Sequence, residues 1–161
     1  MQPETETGPF AQLVEFGAPG PLVGILVGSE SDRDRLDPAL QELDNRGISY
    51  EFHVLSAHRD PRAVAEYAST AAFRGVRVII AGAGMAAALP GVVASYSELP
   101  VIGVPLRSSK SVGDGMDALL SIVQMPPGVP VACVSIDGAR NAAILAARIL
   151  AQGGGSPASE L

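Results

Sequence analysis

The sequence is poor in the residues that cross-link chains, stack on cofactors or attract nucleic acids. Its one cysteine, Cys133, cannot form a disulfide within the chain, and its apolar surroundings predict a small buried residue rather than a catalytic thiol. There is no tryptophan to stack on a flavin ring. Acidic residues outnumber basic ones 17 to 11 and no basic stripe occurs, so we expect no nucleic-acid partner.

Further absences narrow the class of protein. No charged segment followed by an apolar one opens the chain, and no apolar run reaches membrane-spanning length, so we expect a cytoplasmic protein with no membrane partner. No cluster of His, Cys and carboxylates has metal-ligand spacing, and no G-x-S-x-G motif marks a nucleophilic serine. A net charge of −6 repels phosphate, so a phosphorylated ligand needs a local arrangement of side chains.

What the sequence does contain is a regular series of apolar runs between two ends rich in Gly and Pro. We predict an N-terminal arm over residues 1–20, an α/β domain over residues 21–151 and a flexible C-terminal tail over residues 152–161. With 161 residues, 47% of them hydrophobic, the chain is long enough to bury one core.

Five short runs rich in Val and Ile predict strands that are buried on both faces of a parallel sheet. They are Leu22–Val27, Tyr50–Leu55, Val76–Ala81, Val101–Val104 and Val131–Ile136. Segments with helical spacing alternate with these runs. The alternation predicts a three-layer αβα sandwich, in which helices cover both faces of a five-stranded parallel sheet.

Local signals indicate where the helices begin. Leu36, Leu40 and Leu43 line one face of the first helix. Asp60 is a suitable N-cap for the second, and Pro61 is favoured in its first turn. Spacing and helix breakers place the other helices at residues 84–95, 114–124 and 139–150.

Ligands of such sheets bind beyond the carboxyl ends of the strands, so the residues that follow each strand are the candidates. After the first strand comes Gly28–Asp32, with the sequence GSESD. Its hydroxyls and amides suit an anion, and Asp32 suits ribose hydroxyls. Because Ser and Asp are also common N-caps, this loop alone favours helix capping over ligand binding.

The second strand is followed by Ser56–Pro61, with the sequence SAHRDP. Arg59 offers a forked donor for phosphate, and His58 carries the side chain that titrates nearest neutral pH. His58 is thus either a catalytic group or a surface-loop histidine. The other histidine, His53, lies inside the strand, where a structural role is expected.

After the third strand, Gly82–Ala87 matches the loose dinucleotide pattern G-x-G-x-x-A. The match is weak, because it follows the wrong strand and no acid lies near position 104 to bind a ribose. Two interpretations stay open: the small residues let backbone amides approach a ligand, or they let a helix pack closely on the sheet.

Taken together, GSESD, SAHRDP and AGAGMAAALPG resemble the PurE-type enzymes of purine synthesis, as do ELPVIGVPL, LLSIVQMPPGVPVACVSI and NAAILAARIL. These are the N5-carboxyaminoimidazole ribonucleotide mutases and aminoimidazole ribonucleotide carboxylases. The resemblance extends over residues 22–150. It implies a flavodoxin-like fold, a homo-octamer, a phosphorylated ribonucleotide and carbon dioxide as ligands, and no cofactor or metal.

The resemblance also assigns roles to residues. His58 is implied to be the general acid/base that moves a proton to and from the ring. The implied substrate-binding residues are Ser29, Ser31, Asp32, Ser56, Arg59, Gly84, Met85 and Ala88. Among them, Ser29 and Asp32 would contact the phosphoribosyl group, and Ser56 and Arg59 the phosphate.

Two departures from the family pattern affect the loop that would face the ring. Met85 replaces a glycine and Ala88 replaces a histidine. Three functions therefore stay open: the purine reaction, a (de)carboxylase for another ring in specialised metabolism, and a non-catalytic nucleotide-binding subunit. The presence of His58 and Arg59 argues against the last.

Overall fold

The computed structural model describes residues 20–153. Residues 1–19 and 154–161, which hold nearly all of the predicted arm and tail, lie outside the described part of the chain. The last helix continues to Gly153, which includes the first two residues of the predicted tail. No helix within the described residues is long and apolar enough to span a membrane.

All five predicted strands are present and pair in parallel. They are β1 (Val23–Val27), β2 (Tyr50–Val54), β3 (Val78–Gly84), β4 (Val101–Leu106) and β5 (Ala132–Cys133). Their order in the sheet is β2-β1-β3-β4-β5. From β1 the chain passes outward to β2 and then returns to β3 on the other side, so the order reverses between β1 and β3. That reversal opens a crevice at the carboxyl ends of these two strands.

Helices cover both faces of the sheet. They are α1 (Asp37–Asn45), α2 (Pro61–Thr70), α3 (Leu89–Tyr96), α4 (Met116–Val123) and α5 (Ala139–Gly153). Ile25 and Val27 point into the core beneath α1 and α5, while Leu26 points into the core beneath α2, α3 and α4. Because β1 is apolar on both faces, it is buried between these layers, and the predicted αβα sandwich is confirmed.

The edge strand β5 is much shorter than predicted. The chain still runs alongside β4 beyond Cys133, because Val134 N–H donates to the Gly103 carbonyl at 3.1 Å and Asp137 N–H to the Pro105 carbonyl at 2.8 Å. The carbonyls of Gly103 and Pro105 therefore face β5. Pro105 has no N–H to donate on that same side, so the regular ladder with β5 ends early.

The predicted start is correct for α2 and incorrect for α3 and α4. Asp60 caps α2 by accepting from Ala63 N–H at 3.1 Å, as predicted. The predicted start of α3 at residue 84 is wrong, because β3 runs to Gly84 and Met85 has a left-handed backbone with φ 54°. The start of α4 at residue 114 is also wrong, since Asp114 has φ 57°.

A buried ion pair joins the edge strand β2 to the turn after α2. Glu51 Oε1 lies 2.8 Å from Arg74 Nη2, and the Arg74 side chain is only 4% exposed. Burial by itself raises the pKa of Glu51, but hydrogen bonds from His53, Arg74 and Tyr67 outweigh it and lower the pKa to about 2. His53 takes part in this network, and its predicted structural role is confirmed.

Candidate active site

A cleft of about 500 Å³ opens at the carboxyl ends of β1, β2, β3 and β4. This is the position at which doubly wound sheets bind ligands. All nine residues predicted to form the site line it: Ser29, Ser31, Asp32, Ser56, His58, Arg59, Gly84, Met85 and Ala88. The three loops chosen from the sequence therefore meet in one place.

The loop after β1 both caps a helix and lines the cleft. Ser29 is the N-cap of the 3₁₀ helix Glu30–Leu36, and its Oγ accepts from Ser31 N–H at 3.4 Å. The two hydroxyl oxygens are 3.0 Å apart, so one donates to the other. The capping interpretation is thus confirmed, and these hydroxyls also border the cleft.

Asp32 supplies the carboxylate of the cleft. Burial raises the pKa of Asp32, and the positive charges of Arg35 and Arg59 offset this only in part. A partly buried carboxylate of this kind is a suitable acceptor for neutral donors such as sugar hydroxyls.

Arg59 connects the loops that follow β1 and β2. Its Nη2 donates to the Gly28 carbonyl at 2.8 Å, and its Nε donates to Ser56 Oγ at 3.2 Å. Ser56 Oγ also accepts from Arg59 N–H at 3.3 Å. Within residues 20–153 the guanidinium forms no direct ion pair, although its charge acts on the nearby Asp32 carboxylate. Two of its nitrogens fix its orientation, while Nη1 stays available for an anion.

His58 lies on the exposed turn between β2 and α2. The turn is held by a hydrogen bond from Asp60 N–H to the Ser56 carbonyl at 2.8 Å. Within the described part of the chain the His58 ring makes no hydrogen bond. The imidazole lines the cleft, where a bound ligand could reach it.

The loop after β3 forms the apolar wall of the cleft. Met85 is 47% exposed, and its φ of 54° lies in the left-handed region, which glycine adopts more readily than methionine. Ala88 is the N-cap residue of α3 and provides no capping side chain. At Gly82, an added Cβ would lie 2.9 Å from Leu36 Cδ2, so this glycine serves packing. The other interpretation, close approach of backbone to a ligand, remains for Gly84.

One loop of the cleft was missed in the sequence, and it contributes Ser108, Ser109 and Lys110. The prediction ended the fourth strand at Val104, which left these residues too far along the chain to be read as its carboxyl end. In the structure β4 continues to Leu106, and they follow it closely. The rule that found the other loops would have found this one had the strand length been right.

The charges that line the cleft differ from those of the whole chain. The residues facing it include two cations, Arg59 and Lys110, and one acid, Asp32. A local positive site within a chain of net charge −6 is the arrangement that a phosphorylated ligand requires. Among residues 20–153 no group of three His, Cys, Asp or Glu side chains is placed to hold a metal ion.

The chain is similar to known proteins in sequence and in fold. A model of the AIR carboxylase family matches residues 22–160. The chain is 56% identical over 138 residues to the N5-carboxyaminoimidazole ribonucleotide mutase of Pyrococcus horikoshii. The aligned segment covers 86% of this chain and 77% of the relative. It is also 56% identical over 131 residues to the phosphoribosylaminoimidazole carboxylase of Schizosaccharomyces pombe, covering 81% of this chain and 23% of the relative.

A solved structure shows the same fold. The crystal structure of Treponema denticola PurE superposes with a TM-score of 0.73 at 33% sequence identity, covering 83% of this chain and 82% of that one. Sequence and structure agree across nearly all of the described residues. The chain therefore belongs to the AIR carboxylase family, the family of the PurE-type enzymes.

Proposed function

We propose that the protein is an N5-carboxyaminoimidazole ribonucleotide mutase of purine synthesis. The observation that carries the proposal is the cleft in which an exposed imidazole lies with a tethered guanidinium and a partly buried carboxylate. The mutase is the activity named for the Pyrococcus horikoshii relative, which is 56% identical to this chain over 86% of its residues.

The phosphate lies, in this proposal, against Arg59 and Ser56. Nη1 of Arg59 and the Ser56 hydroxyl border the same part of the cleft, and a charged donor beside a hydroxyl is a common phosphate site. Asp32 accepts hydrogen bonds from the ribose hydroxyls, and Ser29 adds a hydroxyl on the same side. The ring then points toward the loop after β3, where Gly84 brings backbone close to it.

His58 performs the proton transfers of the exchange. The bond between the exocyclic nitrogen and the carboxyl carbon breaks, its electron pair stays on nitrogen, and nitrogen gains the proton given by His58. The ring carbon then attacks the released carbon dioxide and loses its own proton, which returns to His58. One imidazole thus serves as acid and then as base, and no net proton is consumed.

The wall after β3 keeps the released carbon dioxide beside the ring. Its side chains are Met85 and a run of alanines at positions 86–88, which offer no hydrogen-bond donor. An apolar wall excludes water and holds the carbon dioxide close to the attacking carbon.

The test is an absorbance assay with N5-carboxyaminoimidazole ribonucleotide. We expect the wild-type protein to convert it to the ring-carboxylated product, and His58→Asn to lower kcat by about 10²- to 10⁴-fold. Arg62→Gln, on the exposed side of the first turn of α2 and outside the cleft lining, is the control and should retain activity. Conversion at the wild-type rate by His58→Asn would remove His58 from the mechanism.

A second candidate function is carboxyl transfer on a different ring. It is favoured by one observation, that the wall which faces the ring carries Met85 in a strained backbone and Ala88 without a polar group. Under this alternative the double variant Met85→Gly with Ala88→His gains mutase activity. No gain would count against it.

We also propose that the chain assembles into a homo-octamer. Met116, Leu120 and Val123 recur at helical spacing along α4 and are between 45% and 53% exposed, and Val112, just before this helix, is 72% exposed. A monomer rarely exposes such a stripe, and contact with other copies would bury it. Light scattering should give eight times the chain mass of 16.5 kDa, and Leu120→Asp should lower that mass. A monomeric wild-type protein would contradict the assembly.

A further inference from the structure

The chain has ten arginines but only one lysine, and that lysine lies in the cleft. Lys110 is exposed, and it forms no ion pair with any of residues 20–153. Its neighbour in the loop, Arg107, is different: its Nε lies 3.1 Å from Asp114 Oδ1 and 3.8 Å from Asp137 Oδ2. Among the residues that the structure describes, Arg107 in the loop after β4 therefore has acidic partners and Lys110 has none.

Serine hydroxyls fix the backbone that carries Lys110. Ser108 N–H donates to Ser111 Oγ at 2.8 Å, and Lys110 N–H donates to Ser108 Oγ at 3.2 Å. The hydroxyls of Ser108 and Ser111 are 3.3 Å apart, which closes the turn. The attachment point of the side chain is therefore held in place, while its four-carbon stem can reach into the cleft.

The strand order places the two cations, Arg59 and Lys110, at opposite ends of the cleft. Arg59 follows β2 and Lys110 follows β4, and β1 and β3 lie between these strands. Three strand spacings of about 4.8 Å separate the two loops by about 14 Å. That distance suits a ribonucleotide with a phosphate at one end and a carboxylate on its ring at the other. The ring end then lies at the loops after β3 and β4.

We propose that Lys110 binds the carboxylate of the carboxylated ribonucleotide and so distinguishes it from the uncarboxylated form. The inference rests on the proposed function, since it takes the ligand from there. Ala88, on the neighbouring loop, provides no donor for a carboxylate. The ammonium group of Lys110, in the loop after β4, supplies a charged donor for the carboxylate. Arg59 binds the phosphate.

The test compares two ligands in the His58→Asn background, which prevents turnover during titration. The ligands are carboxyaminoimidazole ribonucleotide and aminoimidazole ribonucleotide, which differ by one carboxylate. We expect Lys110→Met to weaken binding of the first by about 10- to 100-fold and to leave binding of the second unchanged. Lys110→Arg should restore most of the loss. Arg77→Met, which removes an exposed cation just before the amino end of β3, should change neither affinity.

The outcomes separate this inference from the proposed function. If the His58→Asn protein binds neither ribonucleotide, the proposed function fails and the inference fails with it. If that protein binds both but Lys110→Met weakens them equally, or weakens neither, the mutase proposal stands and the role of Lys110 is overturned.

The single lysine also permits a chemical measurement on the wild-type protein. Reductive methylation followed by peptide mass spectrometry reports on the Lys110 amine, and the terminal amino group serves as an internal reference. We expect the carboxylated ribonucleotide to slow methylation of Lys110, and the uncarboxylated one to leave it unchanged. Equal protection by both ligands would contradict carboxylate binding.

Discussion

At the scale of the residue, Met85 has a backbone conformation that its side chain disfavours. With φ at 54°, its Cβ is crowded by its own carbonyl, a conflict that glycine lacks. Met85→Gly should therefore raise the free energy of unfolding, by about 0.5–1 kcal/mol after the greater freedom of glycine in the unfolded chain is subtracted. Urea unfolding at neutral pH measures the change.

Met116 provides the matched control for this prediction. It is also a half-exposed methionine, but its φ of −63° is ordinary for a helix. Met116→Gly should lower the free energy of unfolding, because glycine is a poor helix former, no strain is relieved, and the apolar side chain proposed to contact other copies is lost. If the two substitutions changed stability in the same direction, backbone strain at Met85 would not be the reason.

At the scale of the element, the N-terminus of α2 connects helix capping to the site. Asp60 Oδ1 accepts from Ala63 N–H, and His58 and Arg59 lie on the turn just before it. Asp60→Ala should lower the free energy of unfolding by about 1 kcal/mol, since one amide of the first turn loses its acceptor. Asp60→Asn should keep most of it, because an amide oxygen still caps. Equal losses in chemical denaturation would point to charge rather than capping.

Elements with strong local signals could be predicted from the sequence. The apolar runs identified all five strands, and the Asp60–Pro61 pair identified the start of α2. The region around residues 84–88 could not be predicted, because its Met and Ala residues favour a helix locally. Tertiary packing decides there: β3 pairs with β4 as far as Gly84 and Leu106, and the helix begins only afterwards.

The site residues, too, could be predicted only where the local sequence signals were strong. The three loops after β1, β2 and β3 were predicted from polar residues at strand ends, and they meet in one cleft. The loop with Lys110 was missed, because the predicted fourth strand ended at Val104, whereas β4 continues to Leu106. Pro105 lies within β4 and faces the short edge strand β5, to which it has no N–H to donate.

At the scale of the whole molecule, the pair of Glu51 and Arg74 makes stability depend on acid. The pKa of Glu51 is lowered from 4.5 to about 2, so its contribution is complete above pH 4.5 and is lost as the pH falls toward 2. Between pH 6 and pH 3 the free energy of unfolding should fall by about 2 kcal/mol from this group. Glu51→Gln should remove this part of the acid dependence, as measured by urea unfolding at both pH values.

An exposed carboxylate is the control for this measurement. Glu30 forms a surface ion pair with Arg33, and its side chain is 72% exposed. Glu30→Gln should leave the difference between pH 6 and pH 3 unchanged, because exposed pairs contribute little. An unchanged difference in Glu51→Gln would mean that other groups cause the acid sensitivity.

The tether that Arg59 makes to the Gly28 carbonyl has a consequence for how this cleft can diverge. Under the proposed function, this one side chain both binds the phosphate and holds two neighbouring loops together, so ligand affinity and loop geometry cannot be altered separately at this position. Lysine would preserve the charge and lose the fork, and the loops would drift apart even though the electrostatics were kept. A related protein that binds a neutral ligand would need other contacts between these two loops before the arginine could be replaced.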